Sequence, residues 1–153
     1  MWPIRIVYCR DEDLVLEAVD DALDALIRDG VSDIVILTCK TEAESLLAQH
    51  LEKGMYPAGK KRIRFTTCRK FKGLEADAVI LVDIDEDTFL GNDGQNVLLY
   101  YVGASRARLW LDMVTTIDQE GCMRVLEGMG KEKPGKKPFK TLASKLNALP
   151  VLV

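Results

Sequence analysis

Apolar and polar positions along this chain switch between two periods. Residues 34–37 and 78–82 are wholly apolar. Short runs without a polar position predict strands buried on both faces of a parallel sheet. Further strands are predicted over residues 4–8, 63–67 and 109–116, and the run from 78 extends to 84. Between the strands the period becomes helical. After the acidic start at Asp11, Glu12 and Asp13, the residues Leu16, Val19, Leu23, Leu26 and Ile27 recur on one face until Gly30 stops the helix. Thr41 and Glu44 have the spacing of a capping box, which predicts a second helix burying Ala43, Leu46, Leu47 and Leu51 and ending at Gly54.

Residues 55–62 read as a loop rich in Gly, Pro and Lys, and residues 85–94 as a polar loop. A helix is predicted over residues 95–107, with Val97, Tyr100, Tyr101 and Ala104 towards the core and Arg106 and Arg108 at its last turn. Past Gly121 come a helical stretch at 123–129, a Gly/Pro/Lys linker at 130–138, and an amphipathic helix at 141–149 that docks on the sheet or on another partner. The alternation of strand and helix predicts an α/β fold in three layers, a mainly parallel sheet with helices on both faces. The expected division is a domain at 1–120 and a C-terminal extension at 121–153.

Composition narrows the class. A hydrophobic share of 48% with 29% charged residues is that of a globular protein. No run of eighteen apolar residues and no charged-then-apolar leader pattern occurs, so a cytosolic setting without a membrane is expected. Cys9, Cys39, Cys68 and Cys122 form no C-x-x-C pair and read as reduced, buried thiols, and no metal site is expected. Cys9, Cys39 and Cys68 each fall near a strand end, where they could meet in space. The net charge of −3 hides an asymmetry: residues 11–29 hold eight acids against Arg28 alone, whereas 60–72 hold seven basic residues and no acid. Such a one-sided basic stretch suits a phosphate-facing surface.

That basic stretch runs into Lys72-Gly73-Leu74-Glu75, a glycine turn that presents a carboxylate before a buried strand. It has the form of a ligand-facing loop at the carboxyl ends of a parallel sheet. Thr67, Lys72, Gly73, Leu74 and Glu75, together with Tyr101, Val102, Ser105, Arg106, Ala107 and Arg108, resemble motifs V and VI of superfamily 1 helicases of the UvrD/Rep type. The resemblance spans residues 4–116 and implies the second of the two RecA-like domains of such an enzyme, lacking its own P-loop. It implies ATP and Mg shared with a separate N-terminal RecA-like domain, and single-stranded DNA as partner.

By motif match Arg106 is the arginine finger, and Gly73, Glu75, Arg106 and Arg108 face the nucleotide. Thr67, Arg69, Lys70 and Lys72 face the nucleic-acid backbone, with Arg69 standing where histidine is usual. Phe71 reads as a core anchor. The rival reading is a non-catalytic α/β module that binds a nucleotide or a protein. Two other patterns are set aside. Gly54 to Lys61 has P-loop spacing, but Lys61 replaces the magnesium-binding hydroxyl and the segment leaves a helix for a strand, the reverse of the required order. Asp83, Asp85, Glu86 and Asp87 read as a solvated loop, and His50 as a non-catalytic residue near a helix end.

Overall fold

The structure of the chain, a computed structural model, describes residues 4–130 and 135–152. In chain order the elements are β1 (Arg5–Tyr8), α1 (Glu12–Arg28), β2 (Ile34–Thr38), β3 (Met55–Ala58), β4 (Lys61–Thr67), β5 (Ala76–Ile84), α2 (Glu86–Leu90), α3 (Gln95–Ala104), β6 (Ala107–Thr115), α4 (Gln119–Gly128), α5 (Pro138–Lys145) and β7 (Leu149–Leu152). The seven strands form one sheet in the order β3-β4-β2-β5-β6-β1-β7. Every pairing is parallel except β3 with β4.

The apolar runs occupy the sheet centre because they have two faces to bury. In β2, Val35 and Leu37 enter one core while Ile34 and Ile36 enter the other. In β5, Val79 and Leu81 face the first core and Ile80 and Val82 the second. The first core is roofed by residues of α2 to α5 and by Phe71, and the second by α1 with Leu47 and Tyr56. Asp11 caps α1 by accepting the Leu14 amide at 3.0 Å. Its buried stripe is Val15, Val19, Ala22, Leu23 and Leu26, so Leu16 and Ile27 flank the core instead of leading into it.

Several expected elements are replaced. The capping bonds at Thr41 form, with the Glu44 amide donating to Thr41 Oγ1 at 3.2 Å and the Thr41 amide to Glu44 Oε1 at 3.3 Å. No α-helix follows; residues 42–47 turn, and only a 3-10 turn at Ala48–His50 ensues. The reason lies in β5. Asp83 Oδ1 accepts the Leu46 amide at 2.9 Å, and Ser45 Oγ accepts the Leu47 amide at 3.1 Å, so donors a helix would use are diverted. Only Leu47 of the four predicted core residues is buried.

The Gly/Pro/Lys-rich stretch is a β-hairpin, β3 paired antiparallel with β4, and Pro57 is tolerated because β3 is the sheet's edge. The segment with P-loop spacing is therefore hairpin. The acidic loop is also structured. Asp85 caps α2 in a box with Thr88, Glu86 pairs with Arg124 at 2.7 Å, and Asp87 accepts from Asn96 at 3.0 Å. Asp83 is buried, with φ of 62° inside a strand whose register with β6 shifts between Leu81 and Ile84.

Helix α3 is apolar nearly all round, which leaves periodicity unable to choose its face. Gly103 chooses it, because an added Cβ would collide with Cys68 Sγ and lie 3.0 Å from Leu81 Cδ1. Tyr100 and Gly103 are therefore buried, and Tyr101, expected inside, is 51% exposed. Beyond β6, α4 and α5 bring Cys122, Val125, Leu126, Phe139 and Leu142 into the first core, and the chain ends in β7 parallel to β1. The final helix thus starts and stops earlier than expected, and the strand after it had no sequence signal. The central part of the linker, residues 131–134, lies outside the described residues.

Candidate functional site

The run from Thr67 to Glu75 does not stay at one end of the sheet. Thr67 closes β4 level with Thr38, which pairs in turn with Val82. The chain then crosses one face of the sheet, held by Phe71, which is 2% exposed, and enters β5 at its amino end, Ala76. At a rise of about 3.3 Å per residue, the two ends are about 20 Å apart. The loop expected wholly at the carboxyl ends is therefore divided. Thr67, Arg69 and Lys70 lie at that end, whereas Gly73, Glu75, Arg106 and Arg108 gather at the amino ends of β5 and β6.

At the carboxyl ends, β2, β4 and the loops after them surround a cavity of about 680 Å³, lined by Thr38, Lys40, Thr67, Arg69, Lys70 and Asn96 among others. Thr67 Oγ1 accepts the Lys70 amide at 3.0 Å, and the Phe71 amide donates to Thr67 O at 3.1 Å, so a one-turn coil presents residues 68–70. Lys70 Nζ pairs with Glu42 at 2.7 Å and Lys40 Nζ with Asp85 at 2.9 Å. Arg69 is exposed on the rim, and no carboxylate pairs with it among the described residues. Arg64 stacks on Phe71, its guanidinium carbon 5.1 Å from the ring centroid. Lys72 is exposed on the crossing. His50 lies 3.5 Å from Glu12, away from these groups. Lys40 and Asn96 had no local signal and reach the cavity only through the sheet order.

At the amino ends, the structure corrects the expected helix. Helix α3 stops at Ala104, Ser105 and Arg106 form a turn, and Arg108 is in β6. Strand pairing decides this: the Ala76 amide donates to Arg106 O at 3.1 Å, and Ala107 lies opposite Ala76. The two arginines then fare differently. Arg108 meets three carboxylates, Asp33 at 2.6 Å, Asp77 at 2.9 Å and Glu75 at 3.8 Å. Arg106 Nε donates to Val102 O at 3.2 Å, Nη2 to Ser105 Oγ at 3.1 Å and Nη1 to Leu74 O at 3.4 Å. Its fork is oriented by neutral acceptors, and no carboxylate among the described residues neutralises it. Gly73 turns at φ of 85° with open space where a Cβ would stand.

Residues 62–114 match the family model of the UvrD-like helicase C-terminal domain. The match takes in the crossing, β5, α3 and nearly all of β4 and β6, and so both arginines. Among solved structures, the chain resembles the C-terminal domain of a possible DNA helicase from Lactobacillus plantarum WCFS1, with a TM-score of 0.59 and 17% identity over 99% of this chain and 85% of that one. The fold is thus that of a helicase C-terminal RecA-like domain. Among curated proteins, none matches the chain.

Within the matched segment, an oriented guanidinium with no carboxylate partner is suited to an anionic ligand, and the triply paired Arg108 is suited to holding the loops beside it. Among the described residues no three His, Cys, Asp or Glu side chains converge to hold a metal ion, and no helix is long and apolar enough to cross a membrane.

Proposed function

We propose that this chain is the C-terminal motor half of an ATP-dependent superfamily 1 DNA helicase or translocase, supplying the arginine finger and part of the surface for single-stranded DNA. The observation that carries the reading is the contrast at the amino ends of β5 and β6. Arg106 is held by three neutral oxygens with its charge uncompensated, and Arg108, two residues away, is saturated by carboxylates.

An arginine in that condition can place two N–H donors on phosphate oxygens that gain charge as a γ-phosphoryl group leaves. Gly73 and Glu75 stand on the neighbouring turn, where an amide and a carboxylate can meet the rest of a nucleotide. Arg108 belongs to the same nucleotide-facing group, with Glu75 and Asp77 as its tethers. The P-loop and the Mg ligands are assigned to a separate N-terminal RecA-like domain, so ATP binds between the two domains. Thr67, Arg69, Lys70 and Lys72 face the DNA backbone, because hydroxyls and cations are the ordinary phosphate contacts. The crossing held by Phe71 then joins a DNA-facing end to a nucleotide-facing end through one stiff segment.

The test is steady-state ATP turnover of the chain combined with its N-terminal domain. Arg106→Ala is expected to lower turnover by about 10³-fold, since the charge acts mainly in the transition state. Its stability should fall by about 1 kcal/mol or less, because only hydrogen bonds to neutral acceptors are lost. Arg106→Lys should fail as well, a point charge being unable to reproduce the fork. Near-normal turnover in Arg106→Ala refutes the role. Lost turnover with a collapsed melting temperature makes Arg106 structural.

A further inference from the structure

Strands β2 and β4 are parallel neighbours in which Thr38 and Thr67 stand opposite each other. The residues that follow them, Cys39 and Cys68, continue that register, and the Cys68 amide donates to Thr38 O at 3.0 Å. Both side chains turn to the first core, where Cys68 is buried and Cys39 packs against it. The Cys39 thiol lies close enough to Cys68 for the two sulfurs to interact. Neighbouring strands run about 4.8 Å apart, inside the Cα separations that a disulfide spans. The pair also has an entrance. Cys39 and Cys68 line the 680 Å³ cavity, and Cys39 is partly exposed. Cys9 belongs to the other core, and Cys122 is held within α4, so neither competes for this partner.

The structure assigns Cys39 and Cys68 as an oxidative modification site, at which hydrogen peroxide converts the thiol pair to a disulfide that joins the carboxyl ends of β2 and β4. The Cys39 sulfur, as thiolate, attacks one peroxide oxygen; the O–O bond breaks, leaving a sulfenic acid and one water. The Cys68 sulfur then attacks Cys39, forming the S–S bond and expelling hydroxide, which leaves as the second water with the proton from Cys68. Two thiols are oxidised and one peroxide is reduced. Burial, the neighbouring Cys68 sulfur and the carboxylates of Asp83 and Asp85 all hold the Cys39 thiol protonated, with Cys68 foremost. Brief exposure should therefore do little, and sustained exposure is needed.

The link has a structural consequence at α3. Gly103 packs on Cys68 Sγ so closely that no Cβ fits between them. Turning that sulfur towards Cys39 removes the contact that seats the end of α3, the segment leading to Arg106. The proposal itself does not depend on a helicase role.

The test uses the purified whole chain, incubated with hydrogen peroxide for hours, alkylated and measured by mass spectrometry. The expected product has lost two hydrogen atoms and yields one cross-linked peptide pair containing Cys39 and Cys68. Dithiothreitol should restore the starting mass, and Cys39→Ser should give no cross-link while still melting cooperatively. Amide exchange over residues 100–106 should quicken in the oxidised form. An unchanged mass, oxygen addition without a cross-link, a cross-link through Cys9 or Cys122, or an interchain dimer would each overturn the proposal.

Discussion

Two arginines two positions apart show how far residue type underdetermines role. Arg108 is committed by Asp33, Asp77 and Glu75, which lie at the entrances of β2 and β5, and Arg106 escapes them because its turn directs it at carbonyls. Asp83 is the corresponding case for carboxylates. It accepts from Thr38 Oγ1 and Ser45 Oγ, each at 2.6 Å, and from the Leu46 amide at 2.9 Å, in a left-handed conformation that costs a non-glycine residue about 1 kcal/mol. Asp83→Ala keeps the backbone cost and leaves two hydroxyls and an amide without their acceptor. We expect it to destabilise the fold by about 3 kcal/mol. Asp83→Asn, which tolerates the same φ and retains an acceptor oxygen, should cost about 1 kcal/mol. Denaturant midpoints of the three proteins decide the matter; an alanine variant within about 0.5 kcal/mol of wild type would show that Asp83 does not hold the 41–47 segment.

Among the elements, those specified by their own residues were legible. Helix α1 carries its cap, its stripe and its stop, and β2 and β5 are apolar on both faces because two cores need them. What was illegible is decided through space. The helix after Thr41 fails although its capping bonds form, because a carboxylate 42 residues later takes the Leu46 amide, and the end of α3 is set by the ladder between Ala76 and Ala107. Strands β3 and β7 lie at the edges, where Pro57 and the exposed Leu149 and Leu152 show how little burial is required. The motif residues were legible one by one, but their separation to two ends of β5 was not, since it depends on which way the chain crosses the sheet. The turn at residues 68–70 carries a prediction at this scale. If Arg69 contacts a phosphate of single-stranded DNA, Arg69→Ala should lower the slope of log K against log salt by about 0.7. Titrations of both proteins over a salt series test it, and an unchanged slope removes Arg69 from the interface.

The whole molecule closes one face of its sheet with residues that follow β6. Val125, Leu126, Phe139 and Leu142 pack in the first core with the strand residues Ile6, Ile84, Leu111 and Met113. Each large apolar side chain is worth about 2 kcal/mol when buried, so uncovering the four on the sheet side costs about 8 kcal/mol, comparable with the whole stability of a domain. β1 would also lose β7 as its outer neighbour and become an edge. A chain ending at Asp118 is therefore expected to lose its cooperative thermal transition and to bind a hydrophobic dye. The alternative, that β1 to β6 fold as a unit on which the last segment merely rests, predicts a sharp transition within about 5 °C of the full chain, since 1 kcal/mol moves the midpoint of such a domain by roughly that amount. Calorimetry of the two chains separates these outcomes. A sharp transition in the shortened chain would place the boundary of the folding unit before α4, and its loss would make α4, α5 and β7 part of the scaffold that holds Arg106 in place.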